Sequence, residues 1–218
     1  MTYQEIKNDA AVCTYVKAAD NGLAVLGFTE HSFAHVTAVA EKTGYILETL
    51  GYPDRMVELG KIAGYLHDIG NLVNRVDHSQ SGGVMAFRIL DHLNFPPEEI
   101  AQIVSAIGNH DEGTGVPVSP LAAALILADK SDVRRSRVRN KERTSFDIHD
   151  RVNYSVTKAD LQINEARTVI KLELQIDTHV GSVMEYFEIF MERMILCRKA
   201  AEMLGLKFNL MINEQQLI

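Results

Sequence analysis

Tyr65-Leu66-His67-Asp68-Ile69-Gly70-Asn71 is the stretch that decides how this chain folds. An adjacent histidine and aspartate follow the apolar residues Ile62, Ala63 and Leu66 and are closed by Gly70. A glycine there suits a helix end that needs a positive φ. The pattern therefore predicts two metal-capable side chains at the last turn of a buried helix. Successive helical residues diverge by about 100°, yet both heads can reach one ion lying over the helix end. A His-Asp pair alone is common, so partners elsewhere must give it meaning.

Those partners stand on both sides of it. Of the eight histidines, His31, His35, His67, His78 and His110 all fall near expected helix starts or ends. Asp111 follows His110, and Asp129 ends the apolar run Leu125-Ile126-Leu127-Ala128. A carboxylate in that place needs a base or a cation, because a buried, unpaired charge is costly. A His/Asp set without cysteine suits borderline or hard divalent ions such as Mn, Fe, Co, Zn or Mg. The competing reading of the same residues is a buried hydrogen-bond network without metal. His92, His149 and His179 have no such company and read as structural.

Working outward, helices are expected over 3–19 (ending near Asp20-Asn21-Gly22), 30–50 (stopped by Gly51-Tyr52-Pro53) and 54–67. After a loop over 71–77, further helices are expected over 79–93 and 95–108, the latter opened by Phe95-Pro96-Pro97. A loop over 111–120 carries Gly113, Gly115 and Pro117, and a sixth helix runs from 121 to about 133.

After Arg151 the period changes. Leu161 and Ile163, then Ile170, Leu172, Leu174 and Ile176, alternate with polar residues, which is strand periodicity. Asn164-Glu165-Ala166-Arg167 can turn the hairpin. Val183, Phe187, Phe190, Met194, Cys197, Ala201 and Leu204 step by three and four, an amphipathic helix closed by Gly205 that serves as core or as a homodimer seam. Leu206, Phe208, Leu210 and Ile212 alternate again. The expected fold is mainly α: a helical bundle over 1–150, then a small α+β (β-β-α-β) unit over 155–218.

The 218 residues, 46% of them hydrophobic, can bury a sizeable core. A net charge of −7 argues against a general nucleic-acid binder. The two cysteines, Cys13 and Cys197, have no short spacing, so neither a disulfide framework nor a Cys-rich zinc site is expected, and a reducing cytoplasm is. The polar, mixed-charge start is unlike a signal peptide. The longest apolar run, 121–128, falls well short of the roughly 20 residues a bilayer span needs.

The His35 … His67-Asp68 … Asp129 order resembles the HD-domain metal-dependent phosphohydrolases, whose shared pattern is His … His-Asp … Asp across a helical bundle. His35 with Val39-Ala40, Leu66-His67-Asp68-Ile69-Gly70, and Ala128-Asp129 carry the likeness, over roughly residues 30 to 140. The resemblance implies that His35, His67, Asp68 and Asp129 bind a divalent ion. It implies that His78 (in His78-Ser79-Gln80-Ser81-Gly82) and His110 add a second. Asn109-His110-Asp111-Glu112-Gly113-Thr114-Gly115-Val116-Pro117 is similar to the HD-GYP phosphodiesterase signature. It departs by two residues missing before the glycine, by Asn109 where a histidine is expected and by Val116 in place of tyrosine. Asn71 stands where many members carry lysine. The segment from His67 to Arg135 also resembles the HD part of ribonuclease Y.

The chemistry implied is metal-activated water attacking phosphorus, with cations answering the charge that spreads over the phosphoryl oxygens. Asp68, His78 and Asp111 are the expected catalytic groups. His31, Asn71, Lys130, Arg134 and Arg135 are the expected substrate contacts, the two arginines taken to continue the helix of Asp129. The favoured expectation is a cytoplasmic phosphohydrolase, with one or two divalent ions, acting on a nucleotide or other small phosphate. The alternatives are a phosphodiesterase on RNA or a cyclic dinucleotide, and a sensing or scaffolding module with a vestigial metal site.

Overall fold

The structure is a computed structural model that describes residues 1–217. Ile218, the last residue of the expected C-terminal unit, lies outside the described residues, as does the side chain of Arg143, which ends the basic run after Asp129 (Lys130, Arg134, Arg135, Arg137, Arg139, Lys141, Arg143). The fold is mostly helical with a small four-stranded sheet near the C-terminus, as the periodicities predict.

Helix α1 (Tyr3–Asn8) begins in a capping box between Thr2 and Glu5. The single helix expected over 3–19 is in fact broken. Asp9 adopts an extended backbone, and its carboxylate accepts the amides of Ala11 and Val12 as cap of α2 (Ala10–Val25). That helix runs straight through Asp20-Asn21-Gly22. It stops only before Gly27, whose φ of 81° supplies the left-handed turn.

Helices α3 (Phe33–Thr49) and α4 (Asp54–Leu66) form an antiparallel hairpin. A Cβ added at Gly64 would sit 2.7 Å from the Ala40 Cα. Only glycine allows so close a crossing. The approach brings the start of α3, which holds His35, beside the end of α4, which holds His67.

Gly70 is not the positive-φ terminator that the sequence suggested. The chain passes through a short 3-10 turn, Ile69–Leu72, and a side chain at Gly70 would collide with the His78 carbonyl and the Gly82 amide. The glycine is required by close approach: it lets the first turn of α5 (His78–His92) press against the turn that follows the His-Asp pair.

Helix α6 (Pro97–Gly108) leads through the loop to α7 (Pro120–Lys130), capped by Ser119. Every residue from 121 to 128 is buried, so α7 is apolar all round and forms the axis of the bundle. Each buried leucine or isoleucine on it contributes about 1.5–3 kcal/mol of burial. The helix ends at Lys130, not near 133. Arg134 is extended and Arg135 opens a separate 3-10 turn, Arg135–Arg137, so neither arginine shares a helix with Asp129.

A helix the sequence pattern did not signal, α8 (Ile148–Ser155), starts at an Asp147 cap. Strands β1 (Val156–Ile163) and β2 (Val169–Ile176) pair antiparallel around the expected 164–167 turn, where the Asn164 side chain accepts the amides of Thr168 and Val169. Helix α9 (Val183–Met203) crosses back to β3 (Lys207–Ile212), parallel to β2. A two-residue β4 (Gln215–Gln216), also not anticipated, completes the order β1-β2-β3-β4.

Helix α9 packs against both α7 and β3, and one continuous apolar cluster runs from Ile6 in α1 to Ile212 in β3. The α+β segment is therefore joined to the helical segment through a shared core. Among the described residues no helix is long and apolar enough to cross a membrane.

Candidate metal centre

Five helix ends converge on one buried point. His35 stands in the first turn of α3, His67 directly after α4 with Asp68 next to it, and Asp129 one residue before the end of α7. His78 opens α5, and His110 follows α6. The rings of His31, His35, His67, His110 and His78 form a row of edge-to-face contacts, with centroids 5.4, 5.2, 5.0 and 5.1 Å apart in that order. The sequence placed these side chains at helix termini, and the fold brings the termini together.

The hydrogen bonds fix which nitrogen of each ring faces the centre. His67 donates from Nδ1 to the Gly64 carbonyl at 2.8 Å, and His110 from Nδ1 to the Ile107 carbonyl at 2.6 Å. His78 donates in the same way to the Arg75 carbonyl and His31 to that of Thr29. His35 Nδ1 instead faces Asp132 Oδ2 at 2.7 Å. A ring whose Nδ1 carries the proton presents a bare lone pair at Nε2.

Those Nε2 atoms meet carboxylate oxygens. His35 Nε2 lies 3.4 Å from both Asp68 Oδ2 and Asp129 Oδ1. His67 Nε2 lies 3.2 Å from Asp68 Oδ2 and 3.6 Å from Asp129 Oδ1. Both Nε2 atoms are buried without a hydrogen-bond partner. Lone pairs facing lone pairs in a dry interior repel one another, and a cation between them removes the conflict. Among the described residues, His35, His67 and Asp129 form one group able to hold a metal, and His67, Asp68 and His110 a second, with the ligand atoms of each within 4.8 Å of one another.

The electrostatics show the same demand for positive charge at that point, which a proton on His67 meets when no metal ion is bound. Burial opposes ionisation of Asp68, but the neighbouring imidazoles outweigh it and hold its carboxyl well below the usual range. Asp129 is held down likewise, against burial, by Lys130, His35 and His67. Burial disfavours charge on His67, yet Asp68 and Asp129 raise it to about 10. Burial together with the charges of His67 and Lys130 pushes His110 down to about 3, so it stays neutral. His78 is lowered as well, chiefly by burial. Carboxylates held ionised and a neutral imidazole are the donor states a divalent ion requires.

His78 Nε2 lies 3.4 Å from Asp68 Oδ1 and 3.9 Å from Asp111 Oδ1, with Arg75 Nη1 also 3.4 Å away. His78 thus stands beside the two metal-capable groups and faces a guanidinium. Asn71 donates to the carbonyl and carboxylate of Asp68, and so steadies a candidate ligand rather than lining the cavity.

The cluster forms the floor of a cavity of about 410 Å3. His31, Asp68, His78, Asp129 and Lys130 line it. So do Arg75, Glu112, Arg137, His149 and Arg193, which the sequence did not mark. Arg134 and Arg135 do not. Arg134 pairs with Asp132 and Glu30, and Arg135 donates to the Tyr154 carbonyl, stacks on that ring and approaches Asp177. His149, read as structural, reaches the cavity wall because α8 places it there.

Asp132 is the most consequential residue that sequence reasoning missed. A second acid three residues after Asp129 was the available signal. Arg193 had no local signal, since α9 delivers it from far along the chain.

The chain is similar to known proteins in three respects. The uncharacterized protein MJ1020 of Methanocaldococcus jannaschii is 26% identical over 215 residues, covering 87% of this chain and 80% of that protein. A crystal structure of a predicted HD superfamily hydrolase from an uncultured Thermotogales bacterium is 24% identical, with a TM-score of 0.46 over 57% of this chain and 67% of that one. The HD domain family matches residues 32–134, a span that holds His35, His67, Asp68, His78, His110 and Asp129. Over that span, just under half of its length, the chain is similar to HD domains.

Proposed function

We propose that this chain is a metal-dependent phosphohydrolase acting on a small phosphoester of the nucleotide class. The observation that carries the reading is the pair of buried Nε2 atoms of His35 and His67, without a hydrogen-bond partner and turned toward Asp68 and Asp129 beneath a cavity. His35, His67, Asp68 and Asp129 would hold a divalent ion, and His110 with His67 and Asp68 supplies donors for another. When bound, the ion supplies Lewis-acid activation of water and neutralises charge at phosphorus.

The chain's own residues do the rest. Arg75 is the lining cation that makes no ion pair among the described residues, whereas Lys130, Arg137 and Arg193 each have a carboxylate partner. Its guanidinium is thus free to receive phosphate oxygens, for which its fork of donors is suited. His78, with Nδ1 donating to the Arg75 carbonyl and Nε2 hydrogen-bonded among the described residues only by Arg75 Nη1 at a long 3.4 Å, can accept a proton from the attacking water at Nε2 once that guanidinium turns to the phosphate. Asp111, 3.9 Å from that nitrogen, stabilises the imidazolium that results.

A cavity of about 410 Å3 suits a mononucleotide-sized ligand. The basic run does not form a strand-binding track, because Arg134 and Arg135 are committed to partners away from the cavity. This favours a small phosphate over linear RNA.

The test is phosphate release from nitrophenyl phosphate and a panel of nucleoside monophosphates, a cyclic dinucleotide and linear RNA, with added Mn2+. Turnover of a small ester by wild type, lost in His67→Ala and Asp68→Ala, supports the reading. Equal activity in those variants refutes it, and turnover confined to RNA or the cyclic dinucleotide replaces it with a phosphodiesterase.

A further inference from the structure

We propose that Arg193, on α9, is a positioning residue for the candidate metal centre, acting through Glu112 and Lys130 on Asp129. This rests on the reading that the cluster holds a divalent ion. It makes the C-terminal α+β segment part of that centre.

The path is continuous. Arg193 donates from Nε and Nη2 to Glu112 Oε1 at 3.2 and 3.0 Å, and its guanidinium stacks 4.2 Å over the Phe190 ring. The other Glu112 oxygen meets the Lys130 ammonium. Lys130 Nζ lies 2.9 Å from Asp129 Oδ2 and 3.7 Å from Asp111 Oδ1. That leaves Asp129 Oδ1 as the oxygen turned toward His35 and His67. The order is cation, anion, cation, anion, with Lys130 almost wholly enclosed at 4% exposure.

Each group in such an alternating row limits its neighbour. Glu112 divides its charge between two cations, so Lys130 is shared between Glu112 and Asp129. Without Arg193 the whole Glu112 charge falls on Lys130 and draws the ammonium away from Asp129 Oδ2. The carboxylate is then free to rotate, and Oδ1 no longer has a fixed direction. Groups that orient a metal ligand in this way commonly change metal affinity about 10–100-fold when removed.

The sign of the effect separates positioning from charge. Removing a cation from near a cation site would, by charge alone, tighten metal binding. Loss of orientation loosens it. A purely structural role, in which Arg193 only fastens α9 to the loop, would lower thermal stability without moving Mn2+ affinity in the folded protein.

The experiment measures Mn2+ binding to the full chain by the electron paramagnetic resonance signal of free Mn2+. Wild type, Arg193→Met, Arg193→Lys, Glu112→Gln and the Arg193→Met/Glu112→Gln double variant are compared, each checked for folding by circular dichroism. Arg193→Met is expected to bind Mn2+ about tenfold more weakly, with Arg193→Lys between it and wild type. The double variant is expected to be no weaker than Glu112→Gln alone, as for two residues on one path. Should Arg193→Met fail to fold, Arg193→Lys must still bind more weakly than wild type. Wild-type or tighter Mn2+ binding in the folded Arg193 variants overturns the positioning role and leaves the metal centre standing. Absence of Mn2+ binding in wild type overturns both.

Discussion

Asp132 Oδ2 stands 2.7 Å from His35 Nδ1, and that contact sets the tautomer of the one candidate ligand whose Nδ1 faces a carboxylate instead of a backbone carbonyl. The same aspartate accepts from Arg134 Nε, and Arg137 donates to its backbone carbonyl. Burial works against its ionisation, but His35 and the two arginines hold the carboxyl far below its usual range. Asp132→Asn should keep the fold and lower Mn2+ affinity about tenfold, because the amide accepts more weakly and no longer favours the required tautomer. A binding titration of this variant against wild type checks it, and equal affinity would show that Asp132 does not orient His35.

The close crossing of α3 and α4 gives a second expectation. A Cβ at position 64 would lie 2.7 Å from the Ala40 Cα, backbone that cannot step aside without parting the two helices. Gly64→Ala should cost about 1–3 kcal/mol as an overpacked contact. It should also weaken metal binding, since His35 and His67 sit at the joined ends. Thermal unfolding measures the first effect and Mn2+ titration the second. A variant as stable as wild type would mean the helices have slack the packing does not show.

The pH dependence of the metal-free protein has a definite sign. Burial opposes charge on His67, while Asp68 and Asp129 raise its pKa from 6.5 to about 10. The folded chain therefore holds this proton more tightly than the unfolded chain does. The stabilisation is complete below about pH 6.5 and is lost as pH climbs toward about 10. A divalent ion takes the proton's place. The melting temperature of chelator-treated protein should thus fall between about pH 6.5 and about pH 9, and Mn2+-loaded protein should fall much less. Parallel declines would argue that His67 is not the shared seat of proton and metal.

Two arginines separate the cavity from the basic run. Arg75 lines the cavity, with Nη1 3.3 Å from Asn71 Oδ1 and its guanidinium 5.7 Å from the Phe28 ring. Arg135 is turned to the Tyr154 carbonyl and ring. Arg75→Ala should raise KM for a small phosphate ester by about tenfold, the loss of one charge-assisted contact of about 1.5 kcal/mol. Arg135→Ala should leave KM unchanged. Steady-state kinetics on both variants decides it, and the reverse pattern would return the substrate to the basic run.

Much of this site could be read from residue order because it is built at helix ends. His35, the 67–68 pair and Asp129 fall where helix-length apolar periods begin or stop, and a bundle of short-looped helices returns such ends to one side. The strand alternation of 170–176 and 206–212 and the three-and-four stepping of α9 were equally plain, since each reflects one buried face. What stayed hidden depends on tertiary approach. Gly70 looked like a helix terminator, but its need for glycine comes from the backbone of α5 eight and twelve residues on. Arg134 and Arg135 looked like neighbours of Asp129 until α7 ended at Lys130. Arg193 and Glu112 are 81 residues apart, and no local pattern signals their pairing.

The most direct test of the metal centre is anomalous diffraction from crystals of the Mn2+-loaded protein, collected on either side of the manganese edge. The arrangement of His35, His67, Asp68 and Asp129 predicts a peak within bonding distance of the His35 and His67 Nε2 atoms and an oxygen of Asp129, absent from His67→Ala crystals grown alike. Well-ordered wild-type crystals with no peak there, and with the His35 and His67 rings instead hydrogen-bonded to the carboxylates as imidazolium ions, would contradict it.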